Sequence, residues 1–372
     1  MLSLWKCVYR FFVLPPLWLA LQVLGLVSSK ARRGIEGRRT LFQDLERQIS
    51  NLPAGPRVWF HASSLGEFEQ AKPIIAELRA RRPEAVVIAT FFSPSGYEHS
   101  RKYHLAHVIS YIPFDTHRNA CRFLDLVRPA MAVMVRYDIW PNHIWELHRR
   151  AIPTMIANAT MRRQTKRRIP VIRNFHRHVY NAIDRILTVS AADVEAFGFF
   201  GLTHPHIEAI GDTRYDQVSI RSAEARKRSI VPPAILRDRR VLVVGSSWPE
   251  DEAVLLPALL AVQDRIPGFL CIVAPHEPTV EHLEDLEEEL RGNTTTIRFS
   301  ALNEYAGERV IVVDSVGILL VLYGSAHLAF VGGSFGKGIH NVLEAAVYGI
   351  PVLFGPRHRN SQEPLQLVER GG

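Results

Sequence analysis

The sequence predicts an α/β protein built from two doubly wound domains with a cleft between them. Short apolar runs alternate with amphipathic stretches along almost the whole chain, which is the pattern of a parallel sheet covered by helices on both faces. A polar, basic stretch, "SIRSAEARKRSIVPPAILRDRR" (219–240), breaks that rhythm once, and the rhythm then restarts. At 372 residues and 47% hydrophobic content the chain can bury two cores of ordinary size, which excludes a disordered protein. The expected divisions are 1–35, 36–218 and 219–372.

The first division carries "FFVLPPLWLALQVLGLV" (11–27), 17 residues without charge and interrupted by Pro15 and Pro16. That is the short limit for crossing a bilayer. Lys6 and Arg10 precede the run, and Lys30, Arg32, Arg33, Arg38 and Arg39 follow it. If the run inserts, this charge places the body in the cytoplasm. A spanning anchor, an interfacial anchor, a cleaved signal peptide and a buried core helix all remain open readings.

The next division has strand candidates at 57–63, 85–92, 107–112, 130–135, 154–157 and 185–189, with amphipathic stretches such as 68–81 and 117–127 between them. The first strand runs into "HASSLGEFEQAKPIIAEL" (61–78), where small residues precede Glu67 and a helical pattern begins. Glu67 reads equally as a first-turn carboxylate favoured by the helix dipole or as a base. The dipole lowers its proton affinity, so burial must win if it is a base near neutral pH. The basic segment "MRRQTKRRIPVIRNFHRHVY" (161–180) reads as a solvated face or as a contact for anionic head groups and phosphates.

After the interruption, strand candidates are "VLVVGSS" (241–247), "FLCIVAP" (269–275), "VIVVDSV" (310–316), "LAFVGGS" (328–334) and "PVLFGP" (351–356). Glycines 332, 333, 336 and 338 follow one of them, and a helix is expected to start near His340 and Asn341 and to end at Gly349. Such a loop brings backbone amides to a phosphate, with Lys337 adding a charge. It matches neither the Walker pattern nor a clean dinucleotide fingerprint, and a tight structural turn is the competing reading. The final "LVERGG" stops just after a helical pattern, so a last element of the fold is expected beyond it.

The net charge of +8 favours anionic partners. Nucleic acid is the weakest of these, because the basic residues lack interleaved aromatics and no reader motif occurs. Cys7, Cys121 and Cys271 are too few and too scattered for a disulfide framework or a zinc site, which fits a reducing compartment.

The chain resembles the 3-deoxy-D-manno-octulosonic acid (Kdo) transferases of lipopolysaccharide synthesis. The resemblance is carried by "HASSLGE" (61–67), "YIPFD" (111–115), "RYDIWPN" (136–142), "IPTMIANATM" (152–161), "VSAAD" (189–193), "GDTRYD" (211–216) and "GSSWPEDE" (245–252). It continues through the glycine-rich segment and "FGPRHRNSQE" (354–363). It implies the GT-B glycosyltransferase fold, with two Rossmann-like domains facing a cleft and a membrane-anchoring segment in front. The N-terminal domain would hold the acceptor and the C-terminal domain the donor. It also implies metal-free, inverting transfer of Kdo from CMP-Kdo to a lipid A precursor (lipid IVA), at the cytoplasmic face of the inner membrane among acidic lipids. CMP-Kdo is then a donor substrate and no cofactor is expected.

By the resemblance the base falls on Glu67 and a second acid on Asp138, where Arg136 replaces the first acid of the "ETELWPN" common in the family. For Asp138 a structural hydrogen bond stays equally open. Donor contacts fall by the resemblance on Gly332, Gly333, Ser334, His340, Asn341, Glu344 and Glu363, and Lys337 joins them from the reading of the loop itself. His276 stands with Glu277 where many members carry an Arg-His pair. His61 and Trp140 are left without a role. Competing functions are a GT-B transferase using another nucleotide sugar on a membrane lipid and a catalytically silent lipid-binding relative.

Overall fold

The computed structural model describes residues 4–161, 167, 169–336, 338–358 and 363–370. Lys337, residues 162–166 and 168 of the basic segment, and residues 359–362 lie outside the described residues. The chain divides into two compact units, Met1–Gln217 and Val218–Gly372.

In the first unit, seven strands form one parallel sheet: β1 (Arg57–Ala62), β2 (Val86–Phe91), β3 (Val108–Tyr111), β4 (Met131–Val135), β5 (Thr154–Ala159), β6 (Arg185–Thr188) and β7 (His206–Ala209). Their order is β3-β2-β1-β4-β5-β6-β7. The central strands are buried on both faces, β2 along its full length, which is why they read as unbroken apolar runs. Two cores follow from the two faces. One gathers Trp59, Ile88, Phe123, Trp145 and Tyr180; the other gathers Phe60, Phe68, Ile75, Val87 and Phe91. The apolar run of the N-terminus is a helix, Leu4–Val27, that belongs to this unit.

The second unit has a six-stranded parallel sheet of β8 (Arg240–Ser247), β9 (Phe269–Pro275), β10 (Thr296–Arg298), β11 (Val310–Val312), β12 (Leu328–Val331) and β13 (Val352–Leu353). The order here is β10-β11-β9-β8-β12-β13. Expected and observed elements differ in four places. β7 and β10 were not foreseen, because both are short, half-exposed strands without an apolar run. The expected strands at 310–316, 328–334 and 351–356 shrink to three, four and two residues, their tails becoming loop. The interruption is itself partly helical: Thr213–Ala225 runs through the division between the units. Finally, the helix expected from His340 is only Leu343–Ala346.

The strand order reverses between β1 and β4 in the first unit and between β8 and β12 in the second, where β11 is also inserted between β10 and β9. Crevices at the carboxyl ends of such neighbours are where doubly wound sheets bind ligands.

Candidate active site

Glu67 sits at the first of these reversal points. β1 ends at Ala62, and the helix Leu65–Arg81 starts with Ser64 as its N-cap, the Ser64 hydroxyl accepting from the Glu67 N–H at 3.4 Å. Gly66 has open space where a Cβ would stand, with nothing within 4 Å. A carboxylate three residues after such a cap ordinarily reaches back to the cap's own N–H. Here Oε2 instead accepts from the Ser63 N–H, one residue earlier, at 2.6 Å. This pins the side chain, which is only 6% exposed. Burial raises its proton affinity; the Asp138 carboxylate adds to that, while the Ser63 N–H, His61 and Arg136 oppose it. Burial outweighs the amide bond, which is the direction a base near neutral pH needs.

Asp138 comes from the loop after β4, the other strand of the reversal. Its Oδ2 pairs with His61 Nε2 at 2.9 Å and accepts from Trp140 Nε1 at 3.3 Å. His61 is fully buried, and its Nδ1 lies 3.0 Å from Thr90 Oγ1 and 3.2 Å from the Thr90 carbonyl. The two residues left without a role thus orient the second acid. Arg136, at the mouth of β4, has a left-handed backbone with φ 64°. That conformation costs a non-glycine residue about 1–2 kcal/mol and clusters at functional sites.

At the second reversal point the glycine-rich loop is organised differently from the expectation. A Cβ on Gly332 would collide with the Ser246 carbonyl, so glycine here lets β12 approach β8. The Gly333 N–H donates to Asp251 Oδ2 at 2.6 Å and the Phe335 N–H to Asp251 Oδ1 at 3.2 Å. Asp251 also accepts from the Trp248 N–H at 3.0 Å. Ser334 is buried and its hydroxyl accepts from the Gly355 N–H at 2.6 Å. Two loop amides expected at a phosphate are therefore taken by an internal carboxylate, and Ser334 fastens the loop to the segment after β13. The short Leu343–Ala346 helix offers no extended N-terminus, and just before it Asn341 Oδ1 accepts from the Leu343 N–H at 3.2 Å. Asp251 was not foreseen as a site residue. The only sequence signal was an acid just after a strand in "WPEDE". Asp251→Ala strips three amides of their acceptor and is expected to destabilise the second unit by about 3 kcal/mol in urea unfolding.

His276 and His340 stack with ring centroids 4.2 Å apart, and Trp248 lies 4.8 Å from His276. Trp248 Nε1 donates to His340 Nε2 at 2.8 Å, and burial, then His276, lowers the His340 proton affinity. His340 is thus a neutral acceptor. A cavity of about 270 Å³ opens beside this stack, lined by Arg221, Ser246, His276, Ser315, Gly317 and Glu344. Arg221 pairs with Glu344 across 3.2 Å. Glu363 is buried at the start of the helix Glu363–Arg370. Lys337 is outside the described residues.

The one cluster of metal-ligating type among the described residues is His117, Cys121 and Glu146. Glu146 already binds Arg149 and Arg150 through both carboxylate oxygens, at 2.6–2.8 Å. These cations hold its carboxyl near 2 despite burial, and the charge they bring opposes a metal there.

Residues 33–217 match the family described as 3-Deoxy-D-manno-octulosonic-acid transferase (kdotransferase). The 3-deoxy-D-manno-octulosonic acid transferase of Haemophilus influenzae is 26% identical, over 98% of this chain and 85% of its own. The enzyme of that name from Chlamydophila psittaci is 27% identical, over 84% of this chain and 72% of its own. Among solved structures, a UDP-GlcNAc 2-epimerase from Methanocaldococcus jannaschii has a TM-score of 0.57 at 14% identity, over 85% of this chain and 87% of that one. That last likeness is one of fold, and the expected GT-B class is borne out by it and by the two parallel sheets.

Proposed function

This chain belongs to the Kdo transferase family, and we propose from that premise that it moves Kdo from CMP-Kdo to a sugar hydroxyl of a lipid A precursor. It is a glycosyltransferase of lipopolysaccharide synthesis. The finer reading is that transfer inverts the anomeric centre, needs no metal, and takes place on the cytoplasmic face of the inner membrane among acidic lipids. One observation carries it: a buried carboxylate of raised proton affinity, Glu67, held by a single amide at the reversal point of its sheet.

Glu67 takes the proton of the acceptor hydroxyl as its oxygen forms a bond to the anomeric carbon of Kdo. The bond from that carbon to the phosphate of CMP breaks, and CMP leaves as the anion. A single displacement of this kind needs one base and inverts the centre. Oε2 is engaged by the Ser63 N–H, so Oε1 is the oxygen we assign to the acceptor hydroxyl. Asp138, held by His61 and Trp140, adds to the raised proton affinity of Glu67 through space. On the donor side, Arg221, His276 and Glu344 line the cavity that we assign to CMP-Kdo. A cation and hydrogen-bond donors can then stabilise the departing charge in place of a metal.

The test is transfer from CMP-Kdo to a tetraacyl disaccharide bisphosphate dispersed in detergent. A matched pair of thermal shifts accompanies it. At a hundredfold excess over its dissociation constant, CMP should stabilise the protein by about 2.7 kcal/mol, and UDP much less. Preference for UDP points to another nucleotide sugar. CMP binding without transfer points to a silent lipid-binding relative.

A further inference from the structure

The crevice at the first reversal point holds a cation that the fold leaves unused. Arg136 follows β4 directly, and its N–H donates to the Ala157 carbonyl of β5 at 2.8 Å, which fixes it at the carboxyl ends of these strands. Its φ of 64° is a left-handed conformation that a residue with a long side chain adopts only at a cost. The half-buried side chain returns little to the fold for that cost. Its Nε is buried without a hydrogen-bond partner, and among the described residues its guanidinium forms no ion pair. Its Cζ lies 5.6 Å from the centre of the neighbouring Tyr137 ring. Arg38, another cation close to Asp138, is spent differently: it donates to the carbonyls of Gly34, Phe92 and Ile112 at 2.7, 2.7 and 2.9 Å.

Nor does the Arg136 charge help the base. It lowers the proton affinity of Glu67 through space, against the direction that a base near neutral pH needs. A bound anion answers both the buried donor and the opposing charge. Position 136 is also where the charge of this chain departs from the family pattern, since the first acid of "ETELWPN" is the arginine of "RYDIWPN" (136–142). The residues that follow it leave room for a ligand: Tyr137, Asp138 and Trp140 line a cavity of about 280 Å³ together with Arg167 and His176.

We propose that Arg136 binds an oxyanion of the acceptor, a phosphate or a carboxylate carried close to the hydroxyl that meets Glu67. The chain then selects its acceptor by charge at a position where the family pattern has an acid. This rests on the reading of Glu67 as the base in transfer to a lipid A precursor. Two groups have the required chemistry: a phosphate of the disaccharide, and the carboxylate of a Kdo already attached to it.

The test is calorimetric titration of the full chain in detergent, without donor, against three acceptors. These are the tetraacyl disaccharide bisphosphate, the same disaccharide without phosphates, and the bisphosphate carrying one Kdo. If phosphate is the partner, Arg136→Gln weakens binding of the bisphosphate by about tenfold or more and leaves the phosphate-free acceptor unchanged. If carboxylate is the partner, the loss is confined to the Kdo-bearing acceptor. Arg136→Lys keeps the charge without the fork of donors and should recover part of either loss. In transfer assays the loss should appear in KM, with kcat nearly unchanged. Equal binding by parent and glutamine variant for all three acceptors overturns the proposal, and so does a loss shared equally by all three. Arg136→Asn separates binding from folding, because asparagine tolerates the left-handed backbone. It should unfold in urea no earlier than the parent and show the same binding loss. Earlier unfolding with unchanged binding makes Arg136 a residue of the fold and overturns the proposal. Absence of transfer by the parent would sink the reaction proposed above, while the binding series would still decide the role of Arg136.

Discussion

Glu67→Gln lowers the rate of Kdo transfer by about a thousandfold with the fold intact, the middle of the range that a general base contributes. Glutamine is the informative replacement because its carbonyl oxygen can still accept from the Ser63 N–H, which Oε2 does at 2.6 Å. Only the ability to take a proton disappears. Glu67→Ala removes both, and should add a stability loss of about 1 kcal/mol for the amide left without its acceptor. Transfer by the glutamine variant within tenfold of the parent removes Glu67 as the base.

The same side chain fixes the pH behaviour. Its proton affinity in the folded protein is raised, chiefly by burial. The base form is lost as pH falls through that raised value, so the transfer rate of the parent should decline on the acid side earlier than an ordinary carboxylate would allow. The residual rate of Glu67→Gln should lack that limb. Stability runs the other way. A carboxyl whose proton is held more tightly in the folded state binds more protons there than in the unfolded chain. Its contribution is therefore full at acid pH and is lost as pH rises from the ordinary carboxylate range through the raised value. Denaturant unfolding of parent and glutamine variant should consequently agree at low pH and diverge above that window, with the variant the more stable.

Glu67 illustrates what was legible in the sequence. Its strand, its turn and its helix were readable because β1 is buried on all but its first residue and the turn residues carry their own chemistry. The same holds for β2 and β4. The edge strands β7 and β10 were not readable, since partly exposed edges tolerate polar residues and lose the apolar run. Partnerships across the fold were also hidden. His61 meets Asp138 77 residues later, and Asp251 meets Gly333 82 residues later. No local pattern encodes such pairs. The glycine-rich loop shows the cost: glycines after a strand suggested amides free for a phosphate, whereas an internal aspartate takes two of the loop's amides. Residue type and spacing led to the loops at the two reversal points, and the sheet order explains why those loops gather there. They did not predict which polar groups were already spent on the fold.

Asp115→Ala should destabilise the first unit by about 3–5 kcal/mol, the largest stability effect expected in the chain. The carboxylate is fully buried. Oδ2 accepts from the Tyr9 hydroxyl at 2.8 Å and from the Asn142 N–H at 2.9 Å, and Oδ1 from the His143 N–H at 3.1 Å. His143 Nδ1 lies 2.5 Å from that same oxygen. Asp115 thus caps the helix Pro141–Arg149 and fastens the N-terminal helix in a single group. Alanine leaves several donors buried without an acceptor, which is the costly way to break a polar network. For a unit of this size the loss corresponds to a fall in Tm of roughly 10 °C. Asp115→Asn keeps one acceptor but turns an amide donor toward other donors, so it should recover only part of the loss. Tyr9→Phe removes one bond and should cost about 1 kcal/mol. Its effect should vanish in the Asp115→Ala background, because the partner is already gone. Full additivity of the two would mean that Tyr9 is held by its ring contacts alone, and that the N-terminal helix is not fastened through Asp115.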